Sequence, residues 1–275
     1  MDTSKIKNII ILILLAVNVF LFAALIGDRA QTRAVKTAAW EAAVEAVERA
    51  GIRVSDDISA DLATPSVYTL RRDMDSEREW LERVLGSVTA ADLGGNIWFY
   101  SSESGQASVR GAGECDILFS TDAFGTGRSA AKSAAKVMKK LGLEPDEANA
   151  DVNSSRDGAS VTIGCLWQGC PVYNAGLSFT FSEDYLVMIS GTRIFDRQVQ
   201  ESSYGVLDEL SVMLRFVEAV SEQGFVCSSL SALDPGYIFS VAVSGEGTLN
   251  PVWRFTTDTG EIYINAVTGR VETLR

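Results

Sequence analysis

An uncharged apolar run, residues 9–26, constrains this 275-residue chain more than any other feature of its sequence. At about 1.5 Å per residue, a helix over this run is about 27 Å long, close to the thickness of the hydrocarbon core of a bilayer. The run is longer than the apolar part of a cleaved signal peptide, which spans about 7–15 residues. We therefore expect residues 9–26 to form one retained transmembrane anchor.

The two sides of the anchor indicate how the chain is distributed across the membrane. Basic residues stand on both sides, so their count does not decide the orientation. A short tail before a lone anchor commonly leaves the large following domain outside. We expect residues 1–8 to be a cytoplasmic tail and residues 27–275 to be extracytoplasmic, in a single-pass protein of the cell membrane. Cleavage near Ala23 and Ala24 is the alternative that these small residues leave open.

Asn18 is the one polar side chain within the apolar run. Polar groups inside lipid find hydrogen-bond partners, so Asn18 is a candidate contact with another transmembrane helix. The equally simple interpretation is that a single amide in the middle of the span is tolerated.

Composition excludes many functions. The chain contains no histidine, which rules out Ser-His-Asp triads, Cys-His pairs, HExxH zinc sites and imidazole bases. Its formal net charge of −12 disfavours binding to the phosphate backbone of a nucleic acid. We expect a protein that is not an enzyme and that carries no cofactor and no metal.

After the anchor, hydrophobic periodicity alternates between that of helices and that of strands. The expected fold class is α+β, with helices packed on antiparallel sheets. Residues 27–122 are expected to form a stalk helix and a first, smaller unit, and residues 123–275 a second unit. The predicted helices span residues 37–50, 76–85, 129–141 and 205–223, and strands are predicted within residues 96–120 and over residues 161–167, 172–181, 185–194, 237–243, 252–256 and 262–267.

The second unit is expected to be a duplicated helix-plus-meander unit. Residues 171–173 (Pro-Val-Tyr) and 251–253 (Pro-Val-Trp) each open a strand after a predicted helix and a predicted strand. Residues 191–193 (Gly-Thr-Arg) and 268–270 (Thr-Gly-Arg) form a looser match after the next hairpin. The same order of elements in both halves supports the repeat.

An acidic cluster surrounds the start of the helix predicted over residues 76–85. Its spacing resembles the start of a calcium loop, but Arg78 stands where the sixth loop position needs glycine. Arg78 and Glu82, one helical turn apart, have the spacing of a surface ion pair, as do Glu79 and Arg83. We therefore expect a solvated helix. The cluster comprises Asp73, Asp75, Glu77, Glu79 and Glu82.

Two short motifs near residue 129 resemble functional motifs only superficially. Residues 125–129 (Gly-Thr-Gly-Arg-Ser) lack the GxxxxGK[ST] order, so we expect Ser129 to cap the following helix. Residues 129–132 and 133–136 have SxxK spacing, but no SDN or KTG partner is present. A hydrolase without histidine would need a Ser-Lys or paired-carboxylate arrangement that the sequence does not single out.

The cysteines leave their redox state open. Four cysteines allow three complete pairings, and no CxxC pair predicts a zinc site. Cys165 shares a strand face with Ile163 and Trp167, as expected for a buried free thiol. The four are Cys115, Cys165, Cys170 and Cys227.

Four aromatic residues fall in predicted strands and are expected in the core. A ligand groove between the repeats is the alternative interpretation. These residues are Trp98, Trp167, Tyr173 and Trp253.

Two stretches at opposite ends of the chain carry a family resemblance. Residues 1–7 (Met-Asp-Thr-Ser-Lys-Ile-Lys) lead directly into an apolar span. Residues 251–254 (Pro-Val-Trp-Arg) and 263–269 (Tyr-Ile-Asn-Ala-Val-Thr-Gly) stand near the other end. The first stretch resembles the start of YycI proteins, and the last two resemble the closing hairpin of YycI and PepSY-like domains. The motif positions at this end are Pro251, Trp253, Tyr263, Asn265 and Gly269.

The resemblance implies a function through partners. YycI proteins are single-pass membrane proteins of Gram-positive bacteria that act with the related YycH protein on the WalK sensor kinase, which controls cell-wall metabolism. Contact in that family is attributed largely to transmembrane helices, which here would involve Asn18, Phe20 and Leu21. We expect a regulator of a WalK-like kinase, in a hetero-oligomer with a YycH-like protein. The alternative is a membrane-tethered PepSY-like module that binds a ligand or inhibits a peptidase.

Overall fold

A computed structural model describes residues 35–59, 62–120, 122–127, 129–195, 197–203 and 205–274, without the side chain of residue 223. The predicted anchor and its proposed contact residues Asn18, Phe20 and Leu21 lie outside these ranges. Within these ranges, no helix is long and apolar enough to cross a membrane.

The described residues include four α-helices and one short 3-10 helix. Three of the α-helices begin at a polar side chain that accepts a hydrogen bond from the first turn, as N-cap residues do. Asp73 caps the second helix, Ser129 the third and Asp208 the fourth. The expected capping role of Ser129 is therefore confirmed. The helices are α1 (residues 35–49), α2 (Met74–Leu85), α3 (Ala130–Lys140), the 3-10 helix Glu147–Asn149 and α4 (Glu209–Gln223).

The start of α4 corrects the helix predicted over residues 205–223. α4 begins only at Glu209, because the carboxylate of Asp208 accepts a hydrogen bond from the N–H of Ser211 at 2.8 Å. Before this cap, Leu207 donates its N–H to the carbonyl of Ala266 at 2.6 Å. The apolar residues before the cap match the helical period but belong to a connecting segment.

Sixteen strands are present in the described residues. The predicted strands after residue 160 correspond to six of them, and the observed ends differ from the predicted ones by up to eight residues. The strands are β1 (Arg53–Val54), β2 (Val67–Arg71), β3 (Thr89–Asp92), β4 (Trp98–Ser102), β5 (Gly105–Val109), β6 (Glu114–Phe119), β7 (Glu144–Pro145), β8 (Asp151–Ser155), β9 (Gly158–Trp167), β10 (Cys170–Ser182), β11 (Tyr185–Thr192), β12 (Arg197–Ser202), β13 (Ser229–Val241), β14 (Glu246–Thr257), β15 (Gly260–Asn265) and β16 (Val271–Glu272).

The strands form one mixed sheet, which corrects the expected antiparallel arrangement. Its main order is β12-β2-β14-β13-β10-β11-β6-β5-β4-β3, with the other strands attached at its sides. Most neighbours are antiparallel, but β1 and β10 each pair with β13 in parallel. Parallel neighbours need a long crossover connection, and residues 183–228, which include α4, supply it between β10 and β13.

The two predicted repeats have the same order of main elements. α3 precedes β9, β10 and β11, with β7, the 3-10 helix and β8 inserted, and α4 precedes β13, β14 and β15. Pro171 pairs with Leu166, and Pro251 pairs with Tyr237, so each proline lies in the middle strand of an antiparallel meander. Whether the two units arose by duplication stays a prediction.

Two apolar clusters hold the helices on the sheet. The first core joins α2 and α3 to β2, β4–β6, β9–β11 and one end of the β13–β14 hairpin. The second core joins α1 and α4 to β15 and the other end of that hairpin. Each core contains residues from both of the units expected from the sequence, residues 27–122 and residues 123–275. The largest fully buried side chains include Trp80, Tyr100 and Phe179 in the first core and Trp253, Phe216 and Phe255 in the second.

A buried ion pair holds the start of α2 on the first core. Arg72 donates from Nε and Nη2 to the two carboxylate oxygens of Glu77, at 2.7 and 2.9 Å, and these side chains are only 8% and 6% exposed. The hydroxyl of Tyr100 also donates to Glu77, at 2.6 Å. Burial, reinforced by this hydrogen bond, raises the pKa of Tyr100, so the hydroxyl keeps its proton. The expectation that the whole acidic cluster is solvated is therefore wrong for Glu77, which is buried.

We expect Glu77→Ala to destabilise the chain by about 3–5 kcal/mol, because it leaves the charge of Arg72 buried without its partner. The matched control is Glu79→Ala, on the exposed face of the same helix, which should change the free energy of unfolding by less than about 0.5 kcal/mol. Urea unfolding of the full chain in detergent, followed by tryptophan fluorescence, measures both. Equal effects of the two substitutions would contradict the role given to the buried pair.

Candidate functional site

The five motif positions near the end of the chain lie on β14, β15 and the turn after β15. Trp253 is fully buried in the second core and donates its indole N–H to the carbonyl of Leu207 at 2.9 Å. The carbonyl of Pro251 accepts a hydrogen bond from Ala266 at 2.8 Å. The first bond attaches the segment before α4 to the closing hairpin, and the second lies within that hairpin, so Trp253 and Pro251 have structural roles.

Asn265 and Gly269 build the turn that follows β15. The side-chain oxygen of Asn265 accepts hydrogen bonds from the N–H groups of Val267 and Thr268, both at 2.9 Å, as in an Asx turn. Gly269 has φ +69°, and a Cβ there would lie 3.2 Å from Nε of Arg215. This left-handed conformation and close approach favour glycine. These two motif positions also support the fold.

Tyr263 belongs to a charged and aromatic cluster on the sheet. Its hydroxyl donates to Glu261, and burial together with this bond raises the pKa of Tyr263. Arg254 pairs through Nη1 with Oε1 of Glu261 at 3.2 Å and through Nη2 with Oδ2 of Asp234 at 2.9 Å. Its guanidinium lies 5.1 Å from the ring centroid of Tyr173. The charges of this cluster are paired with one another across neighbouring strands, which ties the middle of β14 to β13 and β15.

The serines of the SxxK motifs are engaged with the backbone. Ser129 caps α3, accepting a hydrogen bond from the N–H of Lys132 at 3.4 Å. Ser133 donates to the carbonyl of Thr126 at 2.8 Å. Both hydroxyls therefore hold the start of α3.

The four cysteines are free thiols. Cys115 and Cys165 are buried in the first core, and burial raises the pKa of each to about 12. Burial also raises the pKa of the partly exposed Cys170 and Cys227. Because the thiolate is the reactive form, none of these side chains resembles an activated nucleophile.

Of the four strand aromatics expected in the core, Trp253 is fully buried there. Trp98 and Trp167 pack against the first core but remain partly exposed. Tyr173 is half-buried beside Arg254. Trp167 is the member of this set that lines a cavity.

A cleft of about 450 Å³ opens beside Trp167, and we call it the Trp167 cleft. Three segments meet there: the turn after α3, the tip of the β9–β10 hairpin, and the connection from β11 to β12. The volume falls in the range of small-ligand sites, and the floor is apolar. Its lining residues are Gly142, Leu143, Glu144, Leu166, Trp167, Gln168, Ile194, Phe195 and Gln198.

Hydrogen bonds fix the walls of the Trp167 cleft. Glu144 pairs with Leu166 across β7 and β9. Tyr68 donates its hydroxyl to the side-chain oxygen of Gln168 at 3.0 Å. Arg193 donates to the backbone carbonyls of Leu141 and Ile194, at 3.2 and 3.3 Å. These contacts hold the three segments to one another and to the sheet, so the cleft is preformed.

The indole N–H of Trp167 is buried and has no hydrogen-bond acceptor among the described residues. Because this nitrogen is inaccessible to solvent, it belongs to the packed side of the Trp167 ring and is not a ligand position of the cleft. The sequence analysis placed Trp167 in the core, with a ligand groove between the repeats as the alternative, and did not locate this cleft. Its position directly before the Gln168-Gly169 turn was the available signal, because a side chain at the tip of a hairpin is covered on fewer sides.

α1 is joined to the second core at two places. Ala43 and Val47 are buried between α1 and the rest of that core. Nζ of Lys36 lies 2.7 Å from Oε1 of Glu209. Glu209 belongs to the first turn of α4, and its side chain is only 3% exposed. The part of the domain that follows the predicted anchor most closely in sequence is thus fixed to α4.

Comparisons with known proteins add little to these observations. No family model matches the chain, and no curated protein shows significant sequence similarity to it. The resemblance to the YycI family therefore stays a prediction.

Two solved structures are weak structural neighbours. An uncharacterized protein from Eubacterium rectale superposes with a TM-score of 0.48 and 12% identity, over 82% of this chain and 91% of that one. The YpeB C-terminal domain from Bacillus megaterium superposes with a TM-score of 0.34 and 12% identity, over 75% of this chain and 99% of that one. Both TM-scores lie below 0.5, a level that supports no conclusion about function.

We expect iodoacetamide to alkylate Cys170 and Cys227 of the folded chain well before Cys115 and Cys165. A pKa of about 12 leaves roughly one thiol in ten thousand ionised at pH 8, and burial blocks access as well. Raising the pH should speed labelling of the two partly exposed thiols first. Peptide mass spectrometry measures the order, with urea-unfolded chain as the control in which all four react. Early labelling of Cys165 in the folded chain would contradict its buried position.

We expect Glu209→Gln to loosen α1, because it removes the charge that Lys36 contacts. Amide hydrogen exchange over residues 35–49 should become about tenfold faster, the effect of losing roughly one charged hydrogen bond. Glu218→Gln is the matched control, since Glu218 pairs with Arg215 on the exposed surface of the same helix. Unchanged exchange in the Glu209 variant would show that apolar packing alone holds α1.

Proposed function

We propose that this chain is a membrane-anchored, non-catalytic regulator of a WalK-like sensor kinase that controls cell-wall metabolism. In this proposal, residues 9–26 span the membrane, residues 1–8 are cytoplasmic and the domain is extracytoplasmic. Asn18, Phe20 and Leu21 contact transmembrane helices of the kinase or of a YycH-like single-pass partner. The domain is a PepSY-like fold in which residues 123–275 hold a duplicated helix-plus-meander unit.

The attachment of α1 to the second core is the observation that carries the proposal. Eight residues, 27–34, separate the predicted anchor from the described start of α1. Ala43 and Val47 are buried, and Lys36 contacts the buried Glu209. A domain fixed so close to its anchor transmits a displacement to it better than one joined by a long flexible linker.

The energy that such regulation needs is small. A kinase with two states shifts between them when a partner binds one state better than the other. A differential contact of about 1–3 kcal/mol changes the ratio of the two states about five- to 150-fold. A polar contact of Asn18 with another transmembrane helix, which contributes about 0.6–2 kcal/mol, reaches the lower part of this range.

The engagement of the candidate reactive groups supports the non-catalytic part of the proposal. Ser129 and Ser133 bind backbone groups of α3 and its start. Glu77 is neutralised by Arg72, and the thiols of Cys115 and Cys165 are buried. These side chains stabilise the fold, each through the contact named here.

The second candidate function is a tethered extracytoplasmic binding module, with the anchor as a passive tether. The Trp167 cleft favours it, because the cleft is preformed, has an apolar floor and has the volume of a small-ligand site. The two functions differ in where they act. Regulation through the anchor depends on the sequence of residues 9–26, whereas a tethered module depends only on their ability to hold the chain in the membrane.

Replacing residues 9–26 with an unrelated apolar helix of equal length should bring the output of the kinase to that of a strain lacking the chain. The substitution keeps the chain in the membrane but removes the specific helix contacts. A reporter of kinase-dependent transcription measures the output, and membrane abundance of the chain is the control. Asn18→Leu should give a partial effect. Unchanged output with the replaced anchor would overturn regulation through residues 9–26 and leave the tethered module.

A further inference from the structure

We propose that the chain binds a second copy of itself, with the lysines of α3 on one copy docked against a groove beside α1 on the other. The proposal goes beyond the role given to the anchor and does not depend on it. Two exposed helix faces of opposite charge carry it, one on each core. They are the α1 acidic face (Glu41, Glu45 and Glu48) and the α3 basic face (Lys132, Lys136 and Lys139).

A groove of about 290 Å³ lies between α1 and the segment after β1. Its floor is apolar, and the side chains that form it pack on the second core while remaining partly exposed. Covering such a surface with another chain removes apolar area from water, which is favourable. The residues of the floor are Trp40, Val44, Val54 and Ile58.

The rim of this groove is acidic. The α1 acidic face forms one wall, because side chains at positions i, i+4 and i+7 of a helix follow one another along one stripe. Asp56 belongs to the other wall. All four carboxylates are exposed, and none of the described residues that line the groove is basic.

The basic residues closest to the groove in sequence leave this charge in place. Arg49 pairs with Glu45 at 2.6 Å, and Lys36 pairs with Glu209 at 2.7 Å. Arg53 precedes the residue of β1 that lines the groove, and it points the other way because successive side chains of a strand alternate between faces. Within the part of the chain that the structure describes, the other three carboxylates of the rim make no ion pair.

The outer face of α3 carries the opposite charge. Ala134, Ala135, Val137 and Met138 bury the inner face in the first core, and the lysines are exposed on the other side. α3 contains four lysines and no acidic residue, although the chain as a whole has a formal net charge of −12. Such a concentration of one sign against the sign of the whole chain creates a local field that attracts an acidic surface.

Most of this charge is also free for a partner. Lys139 pairs with the exposed Glu147 at 2.6 Å, and Nζ of Lys140 lies 4.9 Å from the ring centroid of Phe124. Lys132 and Lys136 make no ion pair with any described residue.

The two faces match in spacing and in chemistry. Each places three like charges at i, i+4 and i+7, over about 10 Å of helix at about 1.5 Å per residue. The aliphatic stem of a lysine can cover Trp40 and Val44 while its ammonium reaches a carboxylate of the rim. The indole face of Trp40 attracts the same ammonium. A docked α3 therefore satisfies the floor and the rim of the groove together.

Every copy carries both faces, so a second copy always supplies the complement. Contact between like faces is repulsive, which excludes a symmetric pairing of α1 with α1 or of α3 with α3. The contact is therefore heterologous, with α3 of one copy on α1 of the next, and it extends to rings or chains of copies.

The test measures sedimentation equilibrium of the full chain in a non-ionic detergent. We expect association that increases with chain concentration at about 50 mM salt and weakens at least tenfold at about 500 mM salt, because exposed ion pairs are screened.

Charge reversal locates the contact. Glu41→Lys/Glu48→Lys reverses the α1 acidic face, and Lys132→Glu/Lys136→Glu reverses the α3 basic face. Each double variant alone should associate at least tenfold more weakly than the native chain. The chain that carries all four substitutions should associate like the native chain, because opposite charges face each other again, and an equal mixture of the two double variants should do the same.

Glu103→Lys/Glu222→Lys is the matched control. It adds the same positive charge as the reversal of the α1 acidic face, at exposed positions outside both faces. It should leave association unchanged.

Cross-linking tests the contact in the native chain, independently of any variant. A carbodiimide joins a lysine amine directly to a carboxylate in contact with it. In an equal mixture of unlabelled and ¹⁵N-labelled chain, mass spectrometry should find mixed-isotope links between α3 and α1, which can only join two copies.

Absence of association up to about 1 mM chain would overturn the proposal and leave a basic helix of another protein as the occupant of the groove. Equal association of the native chain and both double variants would overturn it as well, since another surface would then hold the copies together. Mixed-isotope links that never join α3 to α1 would also overturn it. A chain with residues 9–26 replaced should associate like the native chain, so the kinase experiment and this one fail separately.

Discussion

The long hairpin of β13 and β14 joins the two cores and positions the helices that pack on them. Strands of 13 and 12 residues extend about 40 Å at about 3.4 Å per residue, far enough to run through both cores. Leu233 and Trp253 contribute to the second core, whereas Phe239 and Leu249 contribute to the first. At one end the hairpin pairs with β1 and β15, and towards the other with β10 and β2. The two cores therefore share one backbone ladder.

This shared ladder gives the proposed function a physical route. The Trp167 cleft lies on the first core, and α1 lies on the second, beside the predicted anchor in sequence. A ligand that shifted the first core would act on the same two strands that hold α1 and α4. The polar groups that interrupt the apolar packing are paired across elements: Glu77 with Arg72, and Glu209 with Lys36. They favour one arrangement of helices on the sheet, since a misplaced helix would bury a charge without its partner.

The sequence predicted the fold class and most elements of the second half, because long apolar periods and capping residues are local signals. Ser129 is an example, since a hydroxyl before an Ala-rich helix predicts a cap from its neighbours alone. Glu77 could not be placed in the same way, because its burial depends on Arg72 and Tyr100 meeting it in space. The parallel pairing that makes the sheet mixed could not be predicted either, because Val172 and Tyr237 are far apart in sequence. The Trp167 cleft was missed for a related reason: three separate segments form it.

Co-purification of the full-length tagged chain from its own host in a gentle detergent, followed by mass spectrometry, tests whether residues 9–26 hold the chain to a sensor kinase. The same chain with residues 9–26 replaced by an unrelated apolar helix is the control. We expect a sensor kinase to be recovered with the native anchor, alone or with a second single-pass protein, and to be depleted with the replaced one. Recovery of a secreted peptidase in equal amounts with both anchors, and of no kinase, would contradict it.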